Sequence, residues 1–329
     1  MRYLKLLGLL GALFLFVPSA NFAQNNGPHV PSKERVKFEE IRQTDIDANL
    51  VRTSVFNYGL TGRLTANPQQ IPWEWPKNSR QRYLAAAVVS YGAEVLQNGQ
   101  PLRLFMPALA RSDPADGSKD WELMPVSGYL NTALGAQAQI ANRLNPNSWP
   151  AIWPDKLEDQ NDPGWPGSFS ALFGKNAFNA DQELVYKLGD DKYDRFDYMP
   201  DATDPTRRGL GMLTETRVLQ WSQVLIQDVV FILHFFHNDG SFDLRRTGVN
   251  IALFDLVGGD GDSSDDIAFY DLVNDVAWST DGDGVGNPDF GDSPVGVVAT
   301  SYLETPGNAV DNIDNDNDGE DLSPVVEES

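Results

Sequence analysis

The sequence predicts a mostly β protein of sandwich type, Ig or jelly-roll in style, with long ordered Trp/Pro-rich loops and an acidic calcium-loop tract at its C-terminal end. Three observations carry this. Short runs rich in β-branched and aromatic residues recur between Gly, Pro and Asp turns along the whole chain, the texture of a sandwich. An Asp-Gly step at Asp239-Gly240 stands between two long apolar runs, a strong hairpin signal. No repeat with a period of about 20–50 residues is present, which removes solenoids and propellers.

The elements follow in order. Met1–Ala23 has a basic start (Arg2, Lys5), an apolar run over Leu6–Val17 and small residues at Ala20 and Ala23. That run is shorter than the roughly 20 residues needed to cross a membrane, and the pattern is that of a secretory signal cut after Ala23 or Ala20. A secreted or cell-surface location is therefore expected, with no transmembrane segment in the mature chain. Residues 24–50 read as a polar, exposed leader with a short helix at most. A β-rich domain in one or two lobes is expected over 51–310, and an Asp-rich calcium-binding tail or linker over 311–329.

Within the domain, Ser54–Gly59 reads as a strand ending in a glycine turn. Pro72–Pro76 is held extended by its prolines. Tyr83–Val95 fits either a helix or a buried strand pair. Leu102–Ala108 is a further apolar run and Arg111–Lys119 a loop. From Trp121 to Pro166 regular signals fade while Trp-Pro steps gather at Trp149, Trp153 and Trp165. Proline stiffens the backbone and indole covers it, so ordered irregular structure is expected. Asn179–Leu188 suits a strand or a helix, and Asp190–Thr206 a loop. Arg217–Trp221 and Val224–Phe236 are strand-like, and Thr247–Val257 reads as the strand returning from the Asp239-Gly240 turn. Ile267–Tyr270 and Val295–Tyr302 are shorter strand runs between the acidic clusters.

Charge is distributed very unevenly. The net charge is −22 from 47 Asp+Glu against 25 Lys+Arg. After Arg246 there are 20 acids and no Lys or Arg, so Met1–Arg246 holds 47 − 20 = 27 acids against 25 bases, or −2. Such a chain is a poor partner for nucleic acid, which needs cationic side chains against its phosphates. Cations suit it better. There is no cysteine, so core packing or bound metal must take the place of cross-links.

Three Asp-Gly clusters concentrate that charge: Gly258–Asp266, Asp281–Asp292 and Asp311–Asp321. Calcium needs six to eight oxygen ligands, supplied by carboxylates at alternate positions of a curving loop, with glycine where the chain turns. Asp281, Asp283, Gly286, Asp289 and Asp292 occupy positions 1, 3, 6, 9 and 12 of such a loop, and Val285 offers a carbonyl. The bidentate glutamate and flanking helices of an EF-hand are missing. In the first cluster Asp260, Asp262, Asp265 and Asp266 are candidate ligands. The alternative for each cluster is a solvated Asx-Gly turn.

Asp314, Asp316, Asp318, Gly319 and Asp321 form the tightest match, and this tract resembles the calcium-saturated repeats of thrombospondin type 3. The resemblance implies Asp314, Asp316 and Asp318 as ligands, with Asp321 or Glu320 completing the shell. Across most of Val51–Asp321 the chain is also similar to a group of uncharacterised secreted bacterial surface proteins. The likeness rests on Ser54–Gly62, Pro72–Pro76, the Trp149–Pro166 loops, Arg207–Gly211 and Ile313–Gly319. It implies a surface location within larger exported proteins and no activity.

Other signals are weaker. His234 and His237 are three apart and diverge on a strand, and no nucleophile elbow accompanies them. Gly209-Leu210-Gly211 lacks a third glycine for a nucleotide loop. Glu74, Glu183 and Glu215 are carboxylates of the type used in glycoside hydrolysis. Trp149, Trp153 and Trp165, with Trp73 and Trp75, offer rings for a sugar platform or cover for the sandwich. The expectation is a secreted, calcium-stabilised extracellular or cell-surface module, structural or adhesive and without catalysis, whose partners are calcium ions and an extracellular glycan or surface protein. The alternative is a carbohydrate-binding or glycoside-hydrolysing domain.

Overall fold

A computed structural model describes residues 35–301, apart from 66, 113–118, 158–162 and 194. The signal-like start and the third Asp cluster, with Asp314, Asp316, Asp318 and Asp321, lie outside the described residues.

The fold is mostly β and built from antiparallel sheets that do not close into a barrel, consistent with a sandwich. One sheet of seven strands is organised on the long strand Arg82–Gln97. On one side that strand pairs with Arg245–Asp255; on the other it takes Leu60–Gly62, Trp73–Glu74 and Gln100–Pro107. Thr53–Phe56 and Gln43–Ile46 extend this sheet. The second sheet runs Ala141–Asn142, Gln182–Gly189, Met212–Gln220 and Val230–Asn238, with Met124–Pro125 added to Gln182–Gly189.

Between the two sheets lies the main core. Val55, Val88, Tyr91 and Met106 from the first meet Leu184, Tyr186, Leu188 and Val218 from the second, all nearly inaccessible to solvent. Residues two apart on a strand share a face, so Val185 points the other way. It enters a second apolar cluster with Trp153, Trp165, Phe169, Tyr129 and Val36. The Trp-Pro loops thus cover the outer face of the second sheet, which is why Gln182–Gly189 is buried on both sides.

Three expectations need correction. The 24–50 leader is not wholly exposed, since Val36 and Ile46 are buried and Gln43–Ile46 is a strand of the first sheet. The strand expected over Val224–Phe236 occupies Val230–Asn238, after a turn at 224–229. The Asp239-Gly240 turn does not close a hairpin. Val230–Asn238 pairs with Met212–Gln220, whereas the following strand, Arg245–Asp255, crosses to the other sheet and pairs with Arg82–Gln97.

An ionic knot anchors the turn where the crossing begins. The Asp239 carboxylate is held by Arg207 (Nη2 at 3.1 Å) and by Arg35, while its own N–H bonds Gly211. Arg207 and Arg35 also share Asp191, through Arg207 Nε at 3.0 Å and Arg35 at 2.6 and 2.8 Å. Arg207 further binds Asp201 at 3.0 Å. Burial would push the Asp201 carboxyl up, but bonds from Thr203, Ser241 and Arg207 outweigh it and hold it well below the usual range. Gly209-Leu210-Gly211 serves this knot. The Asp190 carboxylate accepts the N–H groups of Leu210, Gly211 and Met212 at 2.8–3.1 Å. Gly209, at φ +74°, sits where a Cβ would strike Asp190.

Candidate metal centre

After Asp255 the chain leaves the main sheets and makes a separate three-stranded sheet of Ile267–Asp271, Val276–Thr280 and Val297–Ser301. The first acidic cluster leads into it; the second joins its last two strands. Folding Ile267–Asp271 onto Val276–Thr280 puts Ile267 opposite Thr280. The residues just outside that pair, Asp266 and Asp281, are therefore neighbours, and two clusters distant in sequence meet.

One carboxylate oxygen from each of Asp262, Asp265 and Asp281 lies within 4.8 Å of the others, a grouping able to hold a metal ion. Asp281 is 7% exposed. Its Oδ1 accepts the N–H groups of Asp283 (3.2 Å) and Gly284, whereas its Oδ2 is buried without a hydrogen-bond partner. The Oδ2 of Asp262 and Oδ1 of Asp266 are orphaned in the same way. Both Asp262 Oδ2 and Asp281 Oδ2 abut Gly258, at φ +80°, and a Cβ there would run into each. Desolvation, then the neighbouring Asp281, Asp265 and Asp283, push the Asp262 carboxyl up. Asp266 is pushed up to about 6 by desolvation and by Asp255, Asp281 and Asp265, against a lowering bond from the Val257 N–H. Carboxylates so placed favour a proton or a cation.

The other candidates have different employment. Asp260 is clamped by Arg63 and Arg82. Asp289 faces Arg80 at 3.4 Å. Asp283 accepts the Val285 N–H at 2.9 Å and, like Asp292, is exposed. The EF-like spacing over 281–292 therefore does not wrap its acids around one point. Asp281 and Asp283 cap their own turns, and Asn287 accepts the Asp289 N–H at 3.0 Å, a succession of Asx turns. Asn287 is the residue that sequence reasoning missed. Its backbone N–H bonds Gly258 O at 2.8 Å and its side chain reaches Asp260 O at 3.2 Å, stitching the clusters together.

The assembly is seated on the main domain. Leu256 N–H bonds Tyr83 O at 2.9 Å, and buried Phe290 meets the Tyr83 ring edge-on at 5.5 Å.

Of the candidate platform rings, Trp75 is exposed, with its Nε1 donating to Asp228 at 2.7 Å, and Trp73 is half-buried, whereas the three rings of the Trp-Pro loops are covered. Trp153 is 1% exposed, packed edge-on against Phe169 with its Nε1 donating to Ser168 O at 2.8 Å. Trp165 is buried under Lys156 and Lys175, and Trp149 is half-buried against Phe169. Glu183 and Glu215 both bind Arg217, at 2.6 and 2.7 Å, and Glu74 is buried with an oxygen on the Asn78 N–H. His234 bonds Thr216 at 2.9 Å while His237 is exposed. No helix among the described residues is long and apolar enough to cross a membrane. No protein-family model matches the chain, and neither does any curated protein or solved structure.

Proposed function

We propose that the chain is a secreted extracellular or cell-surface module, structural or adhesive rather than catalytic, whose β domain is stabilised by calcium. The observation that carries this is the pair of buried, partnerless oxygens on Asp262 and Asp281, facing one another with Asp265 alongside. Burying unpaired carboxylates is costly, and a cation is the usual remedy. The donors are all oxygen, and the cluster stands in hydrogen-bonded loops, which suits a hard, flexibly coordinated ion. Calcium would be held by Asp262, Asp265 and Asp281, and the fixed positive charge it supplies would replace the mutual repulsion of the three acids. The signal-like Met1–Ala23 supports an exported protein, where calcium is abundant. Titration of the full chain with calcium in a calorimeter tests this directly. Heat of binding at or below millimolar concentration is expected, and its absence would remove the claim. The carbohydrate-active alternative is less favoured, because Trp153 and Trp165 are buried and Glu183 and Glu215 are engaged by Arg217.

A further inference from the structure

We infer that a single calcium-type cation binds between Asp262, Asp265 and Asp281 and works as the fastener that holds the three-stranded sheet over residues 267–301 against the main sandwich. This rests on the calcium reading above and adds what the ion controls.

The acidic grouping alone would not justify it. The independent observation is the Asp281 side chain, 93% removed from solvent, with Oδ2 unpartnered and aimed at the equally unpartnered Asp262 Oδ2 across Gly258. Among the described residues no cationic side chain is paired with that oxygen pair. No Lys or Arg follows Arg246 in the sequence. Of the arginines that reach the region from the main sheet, Arg63 and Arg82 bind Asp260 and Arg80 faces Asp289. The segment also has no His or Cys after His237, so soft and imidazole-seeking metals find no ligand. An oxygen-preferring divalent ion remains.

Position gives the ion its consequence. Among the described residues the strands Ile267–Asp271, Val276–Thr280 and Val297–Ser301 pair only with one another; the two outer strands are largely exposed and the central one is half-buried. Their seat on the sandwich runs mainly through the two acidic loops: Asp260 on Arg63 and Arg82, Asp289 on Arg80, Phe290 on Tyr83. Asp262 and Asp265 stand on the loop entering the sheet, and Asp281 opens the loop within it. An ion shared among them ties the two loops at the point where the sheet departs. Without it three like charges press those loops apart.

The test measures calcium binding and amide hydrogen exchange on the full chain, wild type and three variants. Asp281→Asn and Asp262→Asn remove one ligand charge each at nearly constant shape; the less buried Asp262 guards against a folding failure at Asp281. Asp292→Asn is the control outside the trio. Expected are calcium binding at least tenfold weaker in both ligand variants and unchanged in the control. Exchange across 256–301 should slow several-fold with calcium in the wild type and the control but not in the two ligand variants, with residues 53–107 unaffected. If calcium binds and depends on Asp281 but exchange across 256–301 does not respond, the fastening role is overturned while the calcium reading stands. If calcium binds equally to all variants, the site assignment is overturned. If the wild type binds none, both fall.

Discussion

Replacing Asp281 with Asn should change the stability of this protein in opposite directions with and without calcium. Asn keeps the Oδ1 that accepts the Asp283 and Gly284 N–H groups and turns the orphaned Oδ2 into a donor facing Asp262. In chelator the variant loses a buried like-charge contact. Asp281 and Asp265 present oxygens within 4.8 Å, and two unit charges at that distance repel by about 3 kcal/mol at an effective dielectric near 20 and about 1 kcal/mol in water. The variant should therefore be more stable than wild type in chelator by about 1–3 kcal/mol. For a domain this large each kcal/mol moves the melting temperature by about 2–4 °C. With calcium a hundredfold above Kd the wild type gains about 2.7 kcal/mol, and the variant should gain little. Thermal unfolding followed by circular dichroism, in chelator and in excess calcium, gives all four melting temperatures. The expected pattern is a crossover: variant above wild type in chelator, below it in calcium. A variant that melts lower in both media would refute the reasoning, because it would show no like-charge repulsion to relieve at Asp281.

Other outcomes follow from the same structure. Arg207→Ala removes the partner of Asp191, Asp201 and Asp239 in a buried knot, and breaking a buried ion pair from one side costs about 3–5 kcal/mol; urea unfolding should show it, and a loss below about 1 kcal/mol would mean that Arg35 alone suffices. Trp153→Ala empties a site closed by Phe169 and Tyr129 and should cost about 3–5 kcal/mol by the same measurement. His234 carries a pH dependence: burial lowers its pKa from 6.5 to about 4, so its contribution is complete above pH 6.5 and is lost as pH falls toward 4. The loss is on the order of 3 kcal/mol, and His234→Gln should flatten the stability profile between those values, which an unchanged profile would contradict.

Much of the β character was legible locally. Thr53–Phe56 and Gln100–Pro107 fall where apolar runs end in glycine or proline punctuation. The ambiguous Tyr83–Val95 became strand because sheet neighbours on both sides engage it, information absent from the segment itself. The Asp239-Gly240 hairpin was misread for a related reason. An Asp-Gly step announces a change of direction but not which sheet receives the next strand. Arg35, 204 residues earlier in the chain, and Arg207 take the Asp239 carboxylate. Acidic clusters are visible in any sequence, but the site combines Asp262 with Asp281 across a hairpin whose register had to be known first. Alternating Asp within one loop suits a calcium shell and a run of Asx turns equally well, and over 281–292 the turns prevail. Asn287 carries no metal-ligand signature and so escaped notice, although Asn before proline is a common turn signal.

The most direct test is a crystal structure of the full chain grown with calcium, with anomalous scattering recorded at a wavelength where calcium contributes. The account predicts one anomalous peak between Asp262, Asp265 and Asp281, with carboxylate oxygens at about 2.3–2.6 Å and Asp260 still on Arg63 and Arg82. A structure in calcium with no peak there, and with Asp281 Oδ2 bonded to protein or water instead, would contradict it.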